Sequence, residues 1–261
     1  MNARSHTTNR YRVPALEKGL VLLVEIGRQR REMGFAEILR LVDLPKASAY
    51  RMVMTLEHLG FLRRNLDSGM YGLGIGVLSM GFDFLSSMDL VQFGQPVIQR
   101  LRDDSGFSSH LAVLDGCDVV YVARVSAVGE ISTGVGVGTR LPAHRAALGR
   151  ALLMETNRET FDTLYPQAAY VDATEHTPKC PEAFWELLQE DRARGHVIAE
   201  SFYQPGICSV AYPVRGRHEC IEAVVSVMVP RAYIPPALQP TLIHQVAEAA
   251  HRIESFLHSI G

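Results

Sequence analysis

The segment from Phe35 to Leu73 reads as helix, tight turn, helix and short basic hairpin, and few folds accommodate that order. FAEILRLVDLPKASAYRMVMTLEHLGFLRR carries two apolar runs at helical spacing: Ile38, Leu39 and Val42, then Ala49, Met52, Val53, Leu56 and Leu59. Only Asp43-Leu44-Pro45 separates them, room for a turn, with Pro45 suited to the first turn of the second helix. That helix keeps Lys46, Ser48, Tyr50, Arg51 and Thr55 largely off its apolar stripe, side chains that suit phosphate oxygens and base edges. Gly60 ends it. Phe61-Leu62-Arg63-Arg64 and Gly69-Met70-Tyr71-Gly72-Leu73 then read as the two strands of a small wing. A helix-turn-helix followed by a basic wing implies a DNA-reading surface. Base contacts fall to Ser48, Tyr50 and Arg51 near the helix start, and phosphate contacts to Arg63 and Arg64 on the wing.

The charge pattern supports this reading only when it is divided along the chain. Net charge over the 261 residues is −2, unpromising for a nucleic-acid binder. Residues 1–70, however, hold 12 Lys and Arg against 7 Asp and Glu, and residues 71–261 hold 14 against 21. A basic N-terminal part on an acidic body is expected where one domain touches DNA. The polar, basic start, MNARSHTTNRYR, lacks the apolar core of a secretory signal and reads as a frayed tail able to add phosphate contacts. No apolar run approaches a membrane span. Cys117, Cys180, Cys208 and Cys220 are far apart and form no CxxC pair, so reduced cysteines in a cytoplasmic protein are expected and a zinc cage is not.

The chain has length for two cores. Pro14 opens a first helix with Leu16, Leu20, Leu23 and Val24 at core spacing, and the basic run Arg28 to Arg31 leads into the helix-turn-helix. A connector follows the wing, its helical character weakened by glycines at 72, 74, 76 and 81, and then a long helix. SSHLAVLDG and DVVYVARVS read as a hairpin, and EISTGVGVGTRLP as a third strand entering a glycine-rich loop. Helices over HRAALGRALLMET and FWELLQEDRARG, strands over ICSVAYPVR and IEAVVSVMVP, and a last helix from about Pro236 to His258 complete the chain. Hairpin strands with segregated helices imply an antiparallel α+β domain.

GVGVG lacks the third glycine of a dinucleotide fingerprint. His110 and His144, with Asp115 or Cys208, match no nucleophile elbow or metal spacing and read as structural residues. The start of the helix after the third strand, His144 to Leu148, offers N–H groups to an anion. Cofactors are not implied.

Two separated stretches carry a family resemblance. VPALEKGLVLLVEI…LVDLPKASAYRMVMTLEHLGFLRR resembles the winged-helix domain of the IclR family of bacterial transcriptional regulators. GVGTRLPAHRAALGRALL is similar to that family's Leu-Pro and Gly-[Lys/Arg]-Ala pattern, and PGICSVAYPVR and VVSVMVP resemble its late pocket strands. The resemblance implies a winged helix-turn-helix over 12–74, a linker helix over 75–90 and a GAF-like effector domain with an antiparallel sheet over 91–261. It implies double-stranded operator DNA and a homodimer or dimer of dimers. It also implies control of a catabolic operon, by repression or activation, through a small effector, an organic or aromatic acid. Effector positions fall on the backbone around Ala147 and Leu148, and on Glu200, Ser209, Ser226 and Met228. Met228 stands where a relative can carry a hydroxyl, and its adaptable thioether favours an aromatic or longer aliphatic acid over a tiny oxo-acid. Ser226 and Met228 share one face of a strand, and Cys208, next to Ser209, faces away. The alternative is an enzyme acting on a small acid with a DNA-binding appendage; a DNA-architectural protein would leave the second domain without a purpose.

Overall fold

The N-terminal helices converge because each presents a short apolar stripe to one small core. The computed structural model describes residues 12–128, 135–166, 170, 174–200, 205–230 and 239–259. Helix α1 (Pro14–Gln29) has proline in its first turn, and Arg30 ends it in a left-handed conformation at φ 52°, its N–H bonded to the Gly27 carbonyl. Helices α2 (Phe35–Leu41) and α3 (Lys46–His58) follow, with Pro45 as the N-cap residue rather than inside the first turn. Strands β1 (Leu62–Arg64) and β2 (Tyr71–Leu73) pair antiparallel with Leu62 opposite Leu73, forming the wing.

Leu22, Ile26, Ile38, Ala49, Val53 and Tyr71 are buried at the centre of this core. The expected α1 stripe is corrected. Leu23 packs against the core, but Leu16, Leu20 and Val24 stay 61%, 55% and 53% exposed. The helix is apolar on two sides, and the side carrying Gly19 permits the closer approach, with Met52 of α3 lying 3.9 Å from where a Cβ would stand. Leu59 is likewise exposed, because it follows α3 as its C-cap.

Helix α4 (Ile75–Ser86) runs unbroken through Gly76 and Gly81 and buries none of its residues. Gly74 before it is required by space: a Cβ there would stand 2.2 Å from the Gly60 carbonyl oxygen. The chain divides into two compact units between Ser87 and Met88.

The second unit is a six-stranded antiparallel sheet with helices on both faces. Its strands are β3 (Ser108–Asp115), β4 (Asp118–Val125), β5 (Arg140–Pro142), β6 (Val197–Glu200), β7 (Ile207–Arg215) and β8 (Ile221–Pro230), in the order β5-β4-β3-β8-β7-β6. Of the expected third strand, residues 130–134 lie outside the described residues and Arg140–Pro142 forms β5. Helix α5 (Asp89–Ser105) and the closing helix α9 (Gln239–Ser259) cover one face; α5 comes so near that a Cβ on Gly94 would meet Leu111 of β3 at 2.5 Å. The expected first residues of α9, from Pro236 to 238, lie outside the described residues. None of the described helices is long and apolar enough to cross a membrane.

The other face is covered by α6 (Ala147–Leu153), with α8 (Pro181–Arg194) packed on α6. A short helix, α7 (Arg158–Leu164), lies between them in sequence and had no periodic signal; Asn157 caps it by accepting from the Thr160 N–H. The helix expected to begin at His144 instead begins at Ala147. Ala143–Arg145 is a single 3₁₀ turn, and Ala146 is extended at φ −132°, ψ 139°. Gly149 makes this break possible, since a Cβ there would lie 2.1 Å from the Ala143 carbonyl oxygen. Next to it, the guanidinium of Arg150 donates two bonds of 2.6 and 2.7 Å to the Asp191 carboxylate of α8, both side chains being buried. Arg194 donates to the same carboxylate at 2.9 Å.

This pair yields a stability test. Asp191→Ala leaves the Arg150 charge buried without its carboxylate and is expected to cost about 3–5 kcal/mol, while the double variant Arg150→Met/Asp191→Leu costs much less. Chemical denaturation of both variants measures the difference. Equal losses would mean that the pair acts through packing alone.

Candidate functional site

Helix α3 presents three different surroundings along its outer side. Lys46 and Arg51 are exposed, and among the described residues neither side chain has an ion-pair or hydrogen-bond partner. Tyr50 is half exposed, its ring edge-on to Phe35 of α2 at 5.7 Å. Ser48 and Thr55 lie toward α1, where with Arg51, Leu16 and Leu20 they line a groove of about 750 Å³. The Thr55 hydroxyl donates to the Arg51 carbonyl at 2.8 Å, so it is engaged by its own helix. Met54 is also exposed, one turn beyond Tyr50 and Arg51.

On the wing, Arg63 pairs with Glu32 at 3.0 Å and Arg64 lies over the Tyr71 ring at 5.8 Å from its centroid. Both remain on the surface. The loop between the strands is held by Asn65, whose side-chain oxygen accepts from the Asp67 and Ser68 N–H groups. The terminal basic tail, residues 1–11, lies outside the described residues.

In the second unit, strand register decides which expected residues share a surface. Ser226 of β8 stands opposite His110 of β3 and Ala211 of β7, while Met228 stands opposite Ser108 and Ser209. Directly opposed residues project to the same side, and residues two apart along a strand do also. Ser209, Ser226 and Met228 therefore share one face with His110. That face is the one under α6, since Ala211 and Val224 pack in one core with Ala147, Leu148 and Ala151.

Glu200 is corrected. Its register partner is Cys208, itself opposite Val229, so Glu200 belongs to the α5–α9 side and is exposed. The family pattern gave its position in sequence but carried no information on pleat. Cys208 faces away from Ser209, as alternation required. The same register separates His110 from Cys208 by the thickness of the sheet, while Asp115 at the end of β3 pairs with Arg140. His144 is buried with its ring 4.9 Å from that of Tyr170. No catalytic set assembles from these four. Among the described residues no group of three His, Cys, Asp or Glu is placed to hold a metal.

His110, expected to be a structural residue, lies on a central strand of the face under α6. It is fully buried, its ring lies edge-on to Tyr121 at 5.6 Å, and neither ring nitrogen has a hydrogen-bond partner among the described residues. The Ser226 hydroxyl opposite it is also buried without a partner among the described residues.

Comparison with known proteins gives consistent matches along the chain. The C-terminal domain model of the IclR bacterial transcriptional regulators matches residues 82–255, and the IclR helix-turn-helix model matches residues 15–66. The chain is 27% identical over 245 residues to the Pca regulon regulatory protein of Pseudomonas putida, covering 92% of this chain and 84% of that protein. Its fold is similar to that of a candidate transcriptional regulator from Rhodococcus sp. RHA1, with a TM-score of 0.84, 29% identity and coverage of 96% and 100%. An IclR homologue from Microbacterium hydrocarbonoxydans, complexed with 4-hydroxybenzoate, superposes with a TM-score of 0.77 at 24% identity, covering 92% and 99%, a likeness of fold.

Burial, and secondarily the positive charge of Arg124, lower the His110 pKa to about 3. An unfolded histidine titrates near 6.5, so below that pH the unfolded chain binds a proton that the folded chain refuses. Stability from this residue is thus complete above about pH 6.5 and falls with pH down to about 3, by up to roughly 1.4 kcal/mol per pH unit. His110→Phe should flatten the acid limb of a stability–pH curve over that window. An unchanged slope would mean that the imidazole is solvated in the folded protein.

Proposed function

Because the chain belongs to the IclR family of bacterial transcriptional regulators, we propose that it reads a near-palindromic operator of a catabolic operon and responds to a small organic or aromatic acid. In this reading residues 12–74 bind DNA, 75–90 link, and 91–261 receive the effector. It acts in the cytoplasm as a regulator without catalytic activity. The observation that carries the DNA part is the pair of unpartnered cations, Lys46 and Arg51, on the exposed side of α3 beside a basic wing. Arg51, Tyr50 and Ser48 serve base edges; Lys46, Arg63 and Arg64 serve phosphates, and Thr55 has a lesser part because its hydroxyl is bonded within the helix.

The effector part rests on the sheet face under α6. Ser209, Ser226 and Met228 form its floor, and the backbone of Ala147 and Leu148 stands on its α6 side. Effector binding alters DNA affinity only to the extent that the two states of the protein bind the acid unequally. Helix α4, the last element of the first unit, carries that coupling.

Self-association follows from the apolar surface left over in the first unit. Leu16, Leu20 and Val24 on α1, and Ile75, Leu78 and Phe82 on α4, are more than half exposed. Contiguous exposed apolar side chains at helical spacing are a protein-interaction feature. A second copy is the fitting partner, because one winged helix contacts too few base pairs for operator-level discrimination and two copies match a palindrome.

Two measurements test these assignments. Arg51→Ala should weaken operator binding by about 1–3 kcal/mol while changing random-duplex binding less, whereas Arg63→Ala should weaken both and reduce the salt slope. Equal loss on both DNAs would remove Arg51 from base reading. In sedimentation, the native chain should run as a dimer or tetramer at micromolar concentration, with Leu20→Glu and Phe82→Glu shifted toward monomer. A monomeric native chain that footprints an isolated half-site would contradict the assembly.

A further inference from the structure

We propose that His110 and Ser226 together seat a hydroxyl group of the effector, so that the preferred ligand class is a hydroxylated organic acid. This rests on the effector reading of the α6-side face.

The argument begins with register. His110 and Ser226 are direct cross-strand partners on the two central strands of the sheet. Their side chains project to the same side, with Cβ atoms about 5 Å apart. Leu111, the next residue, points to the opposite side, where it meets α5 at Gly94. The pair therefore belongs to the surface beneath α6.

Burial then turns geometry into chemistry. Three polar atoms, both imidazole nitrogens and the serine hydroxyl oxygen, are sealed from solvent with no partner among the described residues. Buried polar groups in folded proteins are nearly always hydrogen-bonded, so three orphans in one cross-strand row require an explanation. The other serines of β3 are engaged: Ser109 donates to the Ile98 carbonyl, and the Ser108 hydroxyl accepts from the Ala127 N–H. On β3 and β8, the unsatisfied side-chain atoms among the described residues fall on the α6 side.

The donor and acceptor inventory selects the ligand group. A neutral imidazole has one N–H and one bare nitrogen, and a serine hydroxyl both donates and accepts. An apolar group would satisfy none of these atoms. An acceptor-only group, such as a carboxylate, would leave the bare imidazole nitrogen unmet unless the ring took up a proton. Arg124, the cross-strand neighbour of His110 on β4, opposes that proton with its own charge. A hydroxyl donates to one member of the pair and accepts from the other, and the ring stays neutral. Ala112, Val224, Met228 and the Tyr121 ring supply apolar surface for the body of the ligand.

The test uses the full chain and matched probes: benzoate with 3- and 4-hydroxybenzoate, and butyrate with 3-hydroxybutyrate. Thermal unfolding and calorimetric titration are run on the native chain and on His110→Phe, His110→Asn and Ser226→Ala. At least one hydroxylated acid should bind the native chain roughly tenfold or more tightly than its parent, because a site built to bond a hydroxyl penalises the analogue lacking it. That preference should shrink below about threefold in His110→Phe and Ser226→Ala, and persist in part in His110→Asn, which keeps a donor and an acceptor. Without ligand, His110→Phe should melt at or above the native midpoint, since it removes orphaned polar atoms and keeps the ring against Tyr121; a purely structural histidine would lower it. If His110→Phe fails to fold, Ser226→Ala and His110→Asn decide the question. Parent acids that bind as tightly as their hydroxylated partners, or a preference unchanged in the variants, would overturn the hydroxyl seat and leave the effector reading intact. No binding by any probe would overturn the small-acid effector reading itself, and the seat with it.

Discussion

The second unit depends on the buried clamp between Arg150 and Asp191. Removing two charges from water is costly, and the protein recovers that cost only through bidentate geometry and the further bond from Arg194. The return is positional. With α6 tied to α8, and with Gly149 allowing the Ala143 carbonyl to approach, Ala147, Leu148 and Ala151 are held down on the sheet. Any helix in that position buries one face of the sheet and decides which alternate residues of β3, β7 and β8 lie under it.

The two faces of that sheet have unequal chemistry, and a period of two is the reason. Toward α5 and α9 lie Leu111, Val225 and Val227, all buried, with Ser109 bonded to the backbone. Toward α6 lie His110 and Ser226, buried and unbonded. A protein that keeps orphaned polar atoms loses stability by doing so, and the proposed effector seat accounts for where that loss falls. The acid sensitivity of His110 is a consequence of the same burial.

The first unit illustrates a different limit on sequence patterns. Helix α1 is apolar on two sides, and periodicity alone treats both as candidate core. Gly19 resolves the choice by allowing α3 to come close, which leaves Leu16, Leu20 and Val24 outside. Those side chains, with the wholly unburied α4, form apolar surface that an isolated copy leaves in water. The feature that misled the core assignment is therefore the one that carries the proposal of self-association.

Local signals in the chain were enough for the winged helix-turn-helix, the β3–β4 hairpin, the α8 terminus at Gly195 and the alternation of Ser226 with Met228. Each depends on residues close in sequence, through helical spacing, strand parity or a left-handed glycine at φ 76°. Other features needed contacts between distant residues. The start of α6 at Ala147 depends on Gly149 packing against Ala143 after an extended Ala146, a break that an alanine-rich run does not signal. Glu200 moved to the opposite face because its partner across the sheet is Cys208. His110 became a recognition candidate only when Ser226, 116 positions away, was set beside it. Sequence determined most of the helices and strands, α7 and β6 excepted, because those preferences are written within a few residues. Tertiary structure decided which of two plausible faces each segment buried, because that choice is made by the partner it meets.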